Sequence, residues 1–139
     1  MVDPQGDLQM AGPAIALVVQ PDTSIRREIA TCLRDLGFSV SEFDDECRFY
    51  AQAIRLMSNP GCDRESMVIL AEPTECAMRD LKTLRSCSLH TGIVLVDGPE
   101  HVTGEGKLRA ARLRGDRPSR DDVERAVEAA FAASRAATQ

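Results

Sequence analysis

Aromatic side chains are scarce in this sequence of 139 residues: tryptophan is absent, and only 4% of the residues are aromatic. Surfaces that stack on bases or sugars depend on such side chains. The formal net charge of −5 also argues against general nucleic-acid binding, although it is compatible with a local basic patch. Direct binding of nucleic acid is therefore not expected.

Long hydrophobic runs are also missing. No apolar stretch approaches the ~18 residues that a membrane-spanning helix requires. The N-terminus has no basic flank followed by an apolar core, so it does not resemble a signal peptide. We therefore expect a cytoplasmic protein that does not enter a membrane.

The five cysteines include no C-x-x-C pair and no closely spaced histidine partner. This spacing does not indicate a zinc site, and we expect neither a metal nor another cofactor. Cys32 falls on an apolar helical face, where a buried, inert thiol is expected. A redox role that uses Cys62, Cys76 or Cys87 stays open as an alternative.

Nucleotide-binding and catalytic motifs are absent as well. The segment 103–107 superficially resembles a phosphate-binding loop, but His101 and Leu108 occupy positions that the motif reserves for glycine and for serine or threonine. No G-x-G-x-x-G motif follows a strand. His90 and His101 are isolated, and no Ser/His/Asp or Cys/His arrangement is identifiable. We therefore expect a protein that is not an enzyme.

What the sequence does contain is ordinary for one globular domain, with 43% hydrophobic and 28% charged residues. Residues 1–13 hold two prolines and two glycines and show no periodicity, so we expect a frayed leader. The folded domain should cover residues 14–133, followed by a frayed tail at 134–139.

Continuous apolar runs at 14–19, 67–70 and 92–96 are typical of strands that are buried on both faces. Two weaker, edge-like strands are predicted at 38–41 and 112–114. Helical periodicity follows the first three predicted strands and the last one, and the segment 99–111 is compatible only with a short helix. Candidate N-cap residues are Asp22, Asp44 or Asp45, and Ser119 with Asp122, and Gly37 supplies a stop for the first helix.

Strands and helices therefore alternate five times, which predicts a parallel sheet with helices on both faces. Right-handed crossovers and the two edge-like strands favour the strand order 2-1-3-4-5. This is a flavodoxin-like (βα)5 three-layer sandwich. Ligands of such sheets bind beyond the carboxyl ends of the strands, and here Ala71 and Glu72 follow the central strand.

With this order in place, the chain resembles a bacterial receiver domain, the input module of two-component response regulators, over about residues 14–133. The resemblance is carried by Ala-Leu-Val-Val-Gln-Pro-Asp at 16–22 and Met-Val-Ile-Leu-Ala at 67–71. It is also carried by Gly-Ile-Val-Leu-Val-Asp-Gly at 92–98 and by Arg-Pro-Ser at 117–119.

The functional positions of a receiver are mostly changed in this chain. The resemblance places Ala71 where the phosphoacceptor aspartate stands, and it places Gln20 and Pro21 near two of the magnesium-binding acids. Only Asp22 stays acidic there, and it is expected to cap a helix. Asp97 replaces the hydroxyl residue that holds the phosphoryl group. A receiver also has a lysine before its last helix. The resemblance places Arg117 at that position, or Arg114 if the final strand is shifted.

Phosphoryl transfer to a carboxylate needs a nucleophile, a divalent metal and a nearby cation. The resemblance therefore implies a degenerate receiver, or pseudo-receiver, that keeps the fold and loses the chemistry. Glu72 could act as a built-in phosphoaspartate mimic, or it could be an ordinary loop acid, because its side chain alternates with that of Ala71. Asp97 and Arg117 could pair inside the vacated pocket.

Positive charge is concentrated in the segment 107–125, which holds seven basic and four acidic residues. In receivers this region forms the usual surface for dimerisation and partners. We expect a partner-binding face there for a protein with an acidic surface, or for a homodimer through residues 100–131. The alternative is an ordinary solvated face. The proposed face contains Lys107, Arg109, Arg112, Arg114, Arg120 and Arg125.

The function predicted from these residues is that of a stand-alone signalling protein acting through phosphorylation-independent protein–protein contact, as an adaptor or regulator in a bacterial pathway. One alternative is a divergent receiver that is phosphorylated at a shifted acid, Glu72 or Asp97. Another is a regulator that responds to oxidation through its cysteines. The residues alone leave both alternatives open.

Overall fold

A five-stranded parallel sheet in the order β2-β1-β3-β4-β5 forms the centre of the protein. The computed structural model describes residues 14–58, 67–88, 90–97, 108–116 and 118–136, with side chains up to residue 134. The elements, in chain order, are β1 (Ile15–Val19), α1 (Thr23–Asp35), β2 (Ser39–Phe43), α2 (Glu46–Ser58), β3 (Met67–Ala71), α3 (Glu75–Cys87), β4 (Gly92–Val96), β5 (Ala111–Leu113) and α4 (Arg120–Ala136).

The strands that read as continuous apolar runs are the buried ones. Every residue of β3 and β4 is buried, and β1 has four buried residues in succession. Because β1 pairs with β3 and β3 with β4, Val19, Ala71 and Leu95 lie side by side at the carboxyl edge of the sheet. The two edge strands, β2 and β5, are the two that the sequence marks as weaker.

Alternation along β3 sends its side chains into two separate core layers. Val68 and Leu70 pack with residues of α1 and α4, whereas Ile69 and Ala71 pack with residues of α2 and α3. Complete burial of a large apolar side chain such as Ile69 contributes about 1.5–3 kcal/mol. The two layers together hold helices on both faces of the sheet, as the alternation of strands and helices predicts.

Helix starts are fixed by local hydrogen bonds, and the caps that the sequence predicts are present. The Asp22 carboxylate accepts from the Ile25 N–H at 3.1 Å, and the Asp45 carboxylate accepts from the Cys47 N–H at 2.6 Å. At the start of α4, the Asp122 N–H donates to the Ser119 hydroxyl, and the Ser119 N–H donates to the Asp122 carboxylate. The hydrogen bond from the Ser119 N–H to the carboxylate, followed by one from the Ser119 hydroxyl, lowers the pKa of Asp122.

The predicted architecture and strand order are confirmed, and two boundaries differ. The last strand ends at Leu113, so Arg114 follows it instead of belonging to it. The tail expected to fray from residue 134 is wrong at its start, because α4 continues to Ala136 and Ser134 is fully buried. The predicted leader at 1–13 lies outside the described residues, as does most of the possible helix at 99–111.

Within the described parts of the chain, no helix combines the length and the apolar character that crossing a membrane requires.

Candidate functional site

Ala71 occupies the end of the central strand, at the place where the sheet geometry directs ligands. It is fully buried, between Val19 of β1 and Leu95 of β4. Its methyl group belongs to the apolar layer that β3 shares with α2 and α3. A methyl group is neither a nucleophile nor a metal ligand, so no bond to a phosphoryl group can form at this position.

Gln20 follows β1 and stabilises the turn that leads into α1. Only 4% of it is exposed. Its backbone N–H donates to the Phe43 carbonyl at 3.0 Å, and its side-chain oxygen accepts from the Asp22 N–H at 3.2 Å. The polar atoms of Gln20 are thereby engaged in holding the β1–α1 turn, while Pro21 is exposed.

Acidic groups do not gather into a metal centre in the residues that the structure describes, where no group of three or more His, Cys, Asp or Glu residues is placed to hold an ion. The carboxylate of Asp22 is occupied by its helix cap. The residues around Ala71 therefore do not fit the magnesium ion that the receiver resemblance implies.

A cation is nevertheless present at this edge, and sequence reasoning missed it. The Arg26 guanidinium donates to the Gln20 carbonyl at 2.8 Å and to the Glu42 carboxylate at 3.3 Å. The same carboxylate accepts from Arg34 at 3.1 Å. Helical spacing on α1 puts Arg26 close to the sheet, but its partner on β2 depends on the strand pairing, which no local sequence pattern shows.

Glu72 continues the ladder between β1 and β3 by one residue, since its N–H donates to the Val19 carbonyl at 3.2 Å. Side chains alternate along such a ladder, so the Glu72 side chain lies on the face opposite to that of Ala71. It is half-buried and does not enter the position that an aspartate at 71 would use. The geometry favours the ordinary loop acid over the phosphoaspartate mimic.

Asp97 directly follows β4 and has a left-handed backbone conformation, with φ of 60°. Its N–H donates to the Leu113 carbonyl at 2.7 Å, and its carboxylate accepts from the Gly115 N–H at 2.8 Å. Asp97 thus joins β4 to the residues that follow β5. Arg117 lies outside the described residues, so the pairing of Asp97 with Arg117 stays a prediction.

A hydrogen bond between side chains links the starts of α2 and α3 beside this edge. The Thr74 hydroxyl donates to the Glu46 carboxylate at 2.6 Å while it caps α3 by accepting from the Ala77 N–H. Burial, followed by repulsion from Glu46, raises the pKa of Asp80 on α3. The Thr74 hydroxyl thus binds both a side chain and the backbone.

The second predicted site, the basic face, is divided by the structure. Arg112, Arg114 and Arg125 meet at an open groove of about 430 Å³ between β5 and α4. Arg109 lies elsewhere, near Arg85. The groove is lined by Ala110, Ala111, Arg112, Leu113, Arg114, Asp122, Arg125, Ala126 and Ala129.

Arg120 lies on the side of α4 that faces α1. The pKa of the Cys32 thiol is raised by burial and then by nearby acids, and Arg120 acts in the opposite direction. Arg120 and Arg109 are thus not part of the groove, and Lys107 lies outside the described residues. Cys32 is half-buried, so it is less enclosed than the buried thiol that the sequence predicts, and its inertness stays a prediction. Cys76 and Cys87 are exposed, and Cys62 lies outside the described residues.

Arg85 is a second arginine that the sequence pattern does not mark as important. It is only 5% exposed, and its guanidinium donates to the carbonyls of Leu108 and Ser88 and to the hydroxyl of Ser134. Burial and then the charge of Arg109 lower its pKa to about 10. The Ser134 hydroxyl in turn donates to the Thr91 carbonyl at 2.9 Å. Arg85 follows the buried Leu81 by four residues, and this helical spacing places it on the inner face of α3.

Comparison with known proteins finds a likeness among solved structures. No family model matches the chain, and no curated protein matches it. Among solved structures, the chemotaxis response regulator CheY4 of Vibrio cholerae is similar, with a TM-score of 0.64 and 21% sequence identity over 84% of this chain and 97% of that chain. At this identity the likeness shows the fold: the chain has the five-stranded α/β fold of a CheY-type receiver domain.

Proposed function

We propose that this protein is a pseudo-receiver, a signalling module with a receiver fold that works through protein contact without being phosphorylated. The observation that carries the proposal is Ala71, which is fully buried at the end of β3. A receiver needs a carboxylate at that point to accept a phosphoryl group. An alanine there leaves the fold intact and removes the reaction.

The surroundings of Ala71 support the same conclusion. Gln20 offers an amide in place of a carboxylate, and its oxygen already accepts a backbone hydrogen bond. Asp22 and Asp97 each accept from a backbone N–H. Replacing these bonds by a hydrated magnesium ion would cost the cap of α1 and the link between β4 and Gly115, so restoring the pocket requires several changes at once.

The role as an adaptor or regulator in a bacterial pathway belongs to the same proposal. The similar structure is described as a chemotaxis response regulator, and a fold shared with such proteins favours signalling. Partner contact would use the basic face around β5 and the start of α4, where Arg112, Arg114 and Arg125 are exposed.

Two other functions compete with this one. Phosphorylation at a shifted acid would use Glu72 or Asp97, and the exposed carboxylate of Asp97 is the observation in its favour. A redox-responsive regulator would use exposed thiols such as Cys76 and Cys87. Oxidation that changes partner binding in the wild type, and not after both are replaced by serine, would support the redox function.

The proposal is tested by incubating the protein with acetyl phosphate and magnesium and measuring its intact mass. We expect no addition of a phosphoryl group, while a receiver with its aspartate, treated in parallel, is labelled. Labelling that maps to Glu72 or Asp97 would establish the divergent receiver and contradict the proposal.

A further inference from the structure

The outer edge of β2 carries backbone groups that the fold leaves unpaired. The Ser39 N–H donates to the Ala14 carbonyl, and the Phe43 carbonyl accepts from the residue that follows β1. The odd-numbered residues of β2 thus direct their backbone groups towards β1, and the direction alternates along a strand. Val40 and Glu42 therefore direct their N–H and C=O groups away from the sheet, where no hydrogen bond from another described residue occupies them.

Devices that normally protect such an edge are weak on β2. Lysine, proline and inward-facing charges are the usual ones, and β2 contains neither lysine nor proline. Its charged residue, Glu42, is compensated, because its carboxylate accepts from Arg26 at 3.3 Å and from Arg34 at 3.1 Å. The other edge strand, β5, is only three residues long and has Arg112 at its centre. The β2 edge is therefore the more open of the two.

The sequence of β2, Ser-Val-Ser-Glu-Phe, is suited to antiparallel pairing with a second copy of itself. With a two-fold axis at Ser41, Val40 of one copy lies opposite Glu42 of the other, so that all the outward N–H and C=O groups of these residues form hydrogen bonds. Ser41 then lies opposite its own counterpart, where a small side chain allows close approach. A register centred on Glu42 would instead set two carboxylates opposite each other.

Apolar surface flanks the same edge on both faces of the sheet. Leu36, Phe38 and Val40 pack against the core layer beneath α1 and stay partly exposed. Phe43 does the same in the layer beneath α2. In a two-fold dimer each copy contributes these side chains, so their burial adds a hydrophobic contribution to that of the backbone hydrogen bonds.

We propose that two copies of this protein associate through antiparallel pairing of their β2 strands, which joins the two five-stranded sheets into one. Because β2 is short, the association is reversible and grows over the micromolar range. It goes beyond the proposed function and uses the sheet edge opposite to β5, so that the association and the basic face can fail separately.

The first test is sedimentation equilibrium of the full-length protein from micromolar to millimolar concentration, where we expect the dimer fraction to rise. Val40→Pro removes an outward N–H and leaves the bonds to β1 in place, so it should weaken association about tenfold or more. Val40→Thr keeps the N–H and a branched side chain, and is the matched control. R114E/R125E, on the far side of the sheet, should leave the association constant within about twofold.

Covalent trapping keeps the test independent of whether Val40→Pro folds. In a background in which the exposed cysteines and Cys62 are replaced by serine, Ser41→Cys places two thiols across the two-fold axis, within the range of a disulfide. Ser39→Cys is the matched control, because its two thiols would lie about 13 Å apart along the strands. We expect Ser41→Cys alone to give a covalent dimer under oxidation by copper phenanthroline.

Three results would overturn the assignment: a monomer at every concentration, a dimer that Val40→Pro leaves unchanged, and equal trapping of the two cysteine variants. A dimer that R114E/R125E abolishes and Val40→Pro preserves would also overturn it, because the contact would then lie at the basic face.

Discussion

The carboxyl edge of the sheet and the β5–α4 groove use polar residues in opposite ways. At the edge, the side chains of Gln20, Asp22 and Asp97 all accept hydrogen bonds from backbone N–H groups. At the groove, Arg114 and Arg125 are exposed beside buried alanines. Polar groups that are bound internally hold a structure together, whereas exposed charges around apolar surface are available for recognition.

If the proposed function is correct, this difference shows which part of the fold would carry the contact with a partner. A receiver concentrates its chemistry at the edge where this chain has Ala71. The edge here has become part of the framework, and the accessible charge lies at an edge strand and the last helix. Variants of inward-facing residues should therefore lower the free energy of unfolding, whereas variants of outward-facing arginines should leave it nearly unchanged.

The largest effect is expected for Arg85→Ala. The change removes the donors to the Leu108 and Ser88 carbonyls and to the Ser134 hydroxyl, so we expect a loss of about 3 kcal/mol. Arg79→Ala, an exposed arginine on the same helix, is the matched control, and urea unfolding measures both. Equal stability of the two variants would show that the buried guanidinium does not hold these segments together.

Gly115→Ala should lower the free energy of unfolding, because the added methyl group would collide with Asp97 at the carboxyl edge of the sheet. A Cβ at residue 115 would lie 2.6 Å from an Asp97 carboxylate oxygen and 3.1 Å from the Val96 side chain. The carboxylate must move, and the hydrogen bond from the Gly115 N–H is lost, at a cost of about 1–2 kcal/mol. Thermal unfolding measures the loss, and an unchanged Asp97 amide signal would contradict the explanation.

Asp22→Ala tests whether the remaining acid of the edge serves the helix. Loss of the hydrogen bond from the Ile25 N–H should cost about 1 kcal/mol. Asp22→Asn keeps a capping oxygen and removes the charge, so its stability should stay close to that of the wild type. A large loss in Asp22→Asn would mean that the charge of this acid matters for more than capping.

The groove variant R114E/R125E should change the unfolding free energy by no more than about 0.5 kcal/mol, because both side chains are exposed and the Arg125–Asp122 pair is long. Its effect should appear in binding alone. A strongly destabilised variant would mean that these arginines belong to the framework, and the contrast between the two regions would fail.

Ala71→Asp alone should not restore phosphorylation. The aspartate would still lack acids at positions 20 and 21, where Gln20 and Pro21 stand, so magnesium would have too few ligands. Intact mass after incubation with acetyl phosphate measures the result. Stable labelling of this single variant would show that the pocket needs only its nucleophile.

The fold could be predicted because its main signals are local. Continuous apolar runs at β1, β3 and β4 distinguish buried strands from the two edge strands. The caps at Asp22, Asp45 and Ser119 also depend on neighbours within a few residues. Local rules are sufficient for such features, and the strand order follows from the crossover rule.

The parts that could not be predicted depend on distant contacts. The bond of Arg26 to Glu42 requires the pairing of β1 with β2, and the burial of Arg85 requires Leu108 and Ser134 to come together. The charge count predicts one basic face over the segment 107–125, but a strand and a helix project its arginines in different directions. The sequence gives the number of charged residues, and only the packed structure shows which surface each of them faces.

The most direct test of the central claim is an amide NMR spectrum with and without magnesium and beryllofluoride, which imitates a phosphoryl group. We expect no shifts at Gln20, Asp22, Glu72 or Asp97, because Ala71 offers no carboxylate and the carboxylates of Asp22 and Asp97 already accept from backbone N–H groups. Saturable shifts that cluster at these residues would show a working phosphoryl site and would contradict the account.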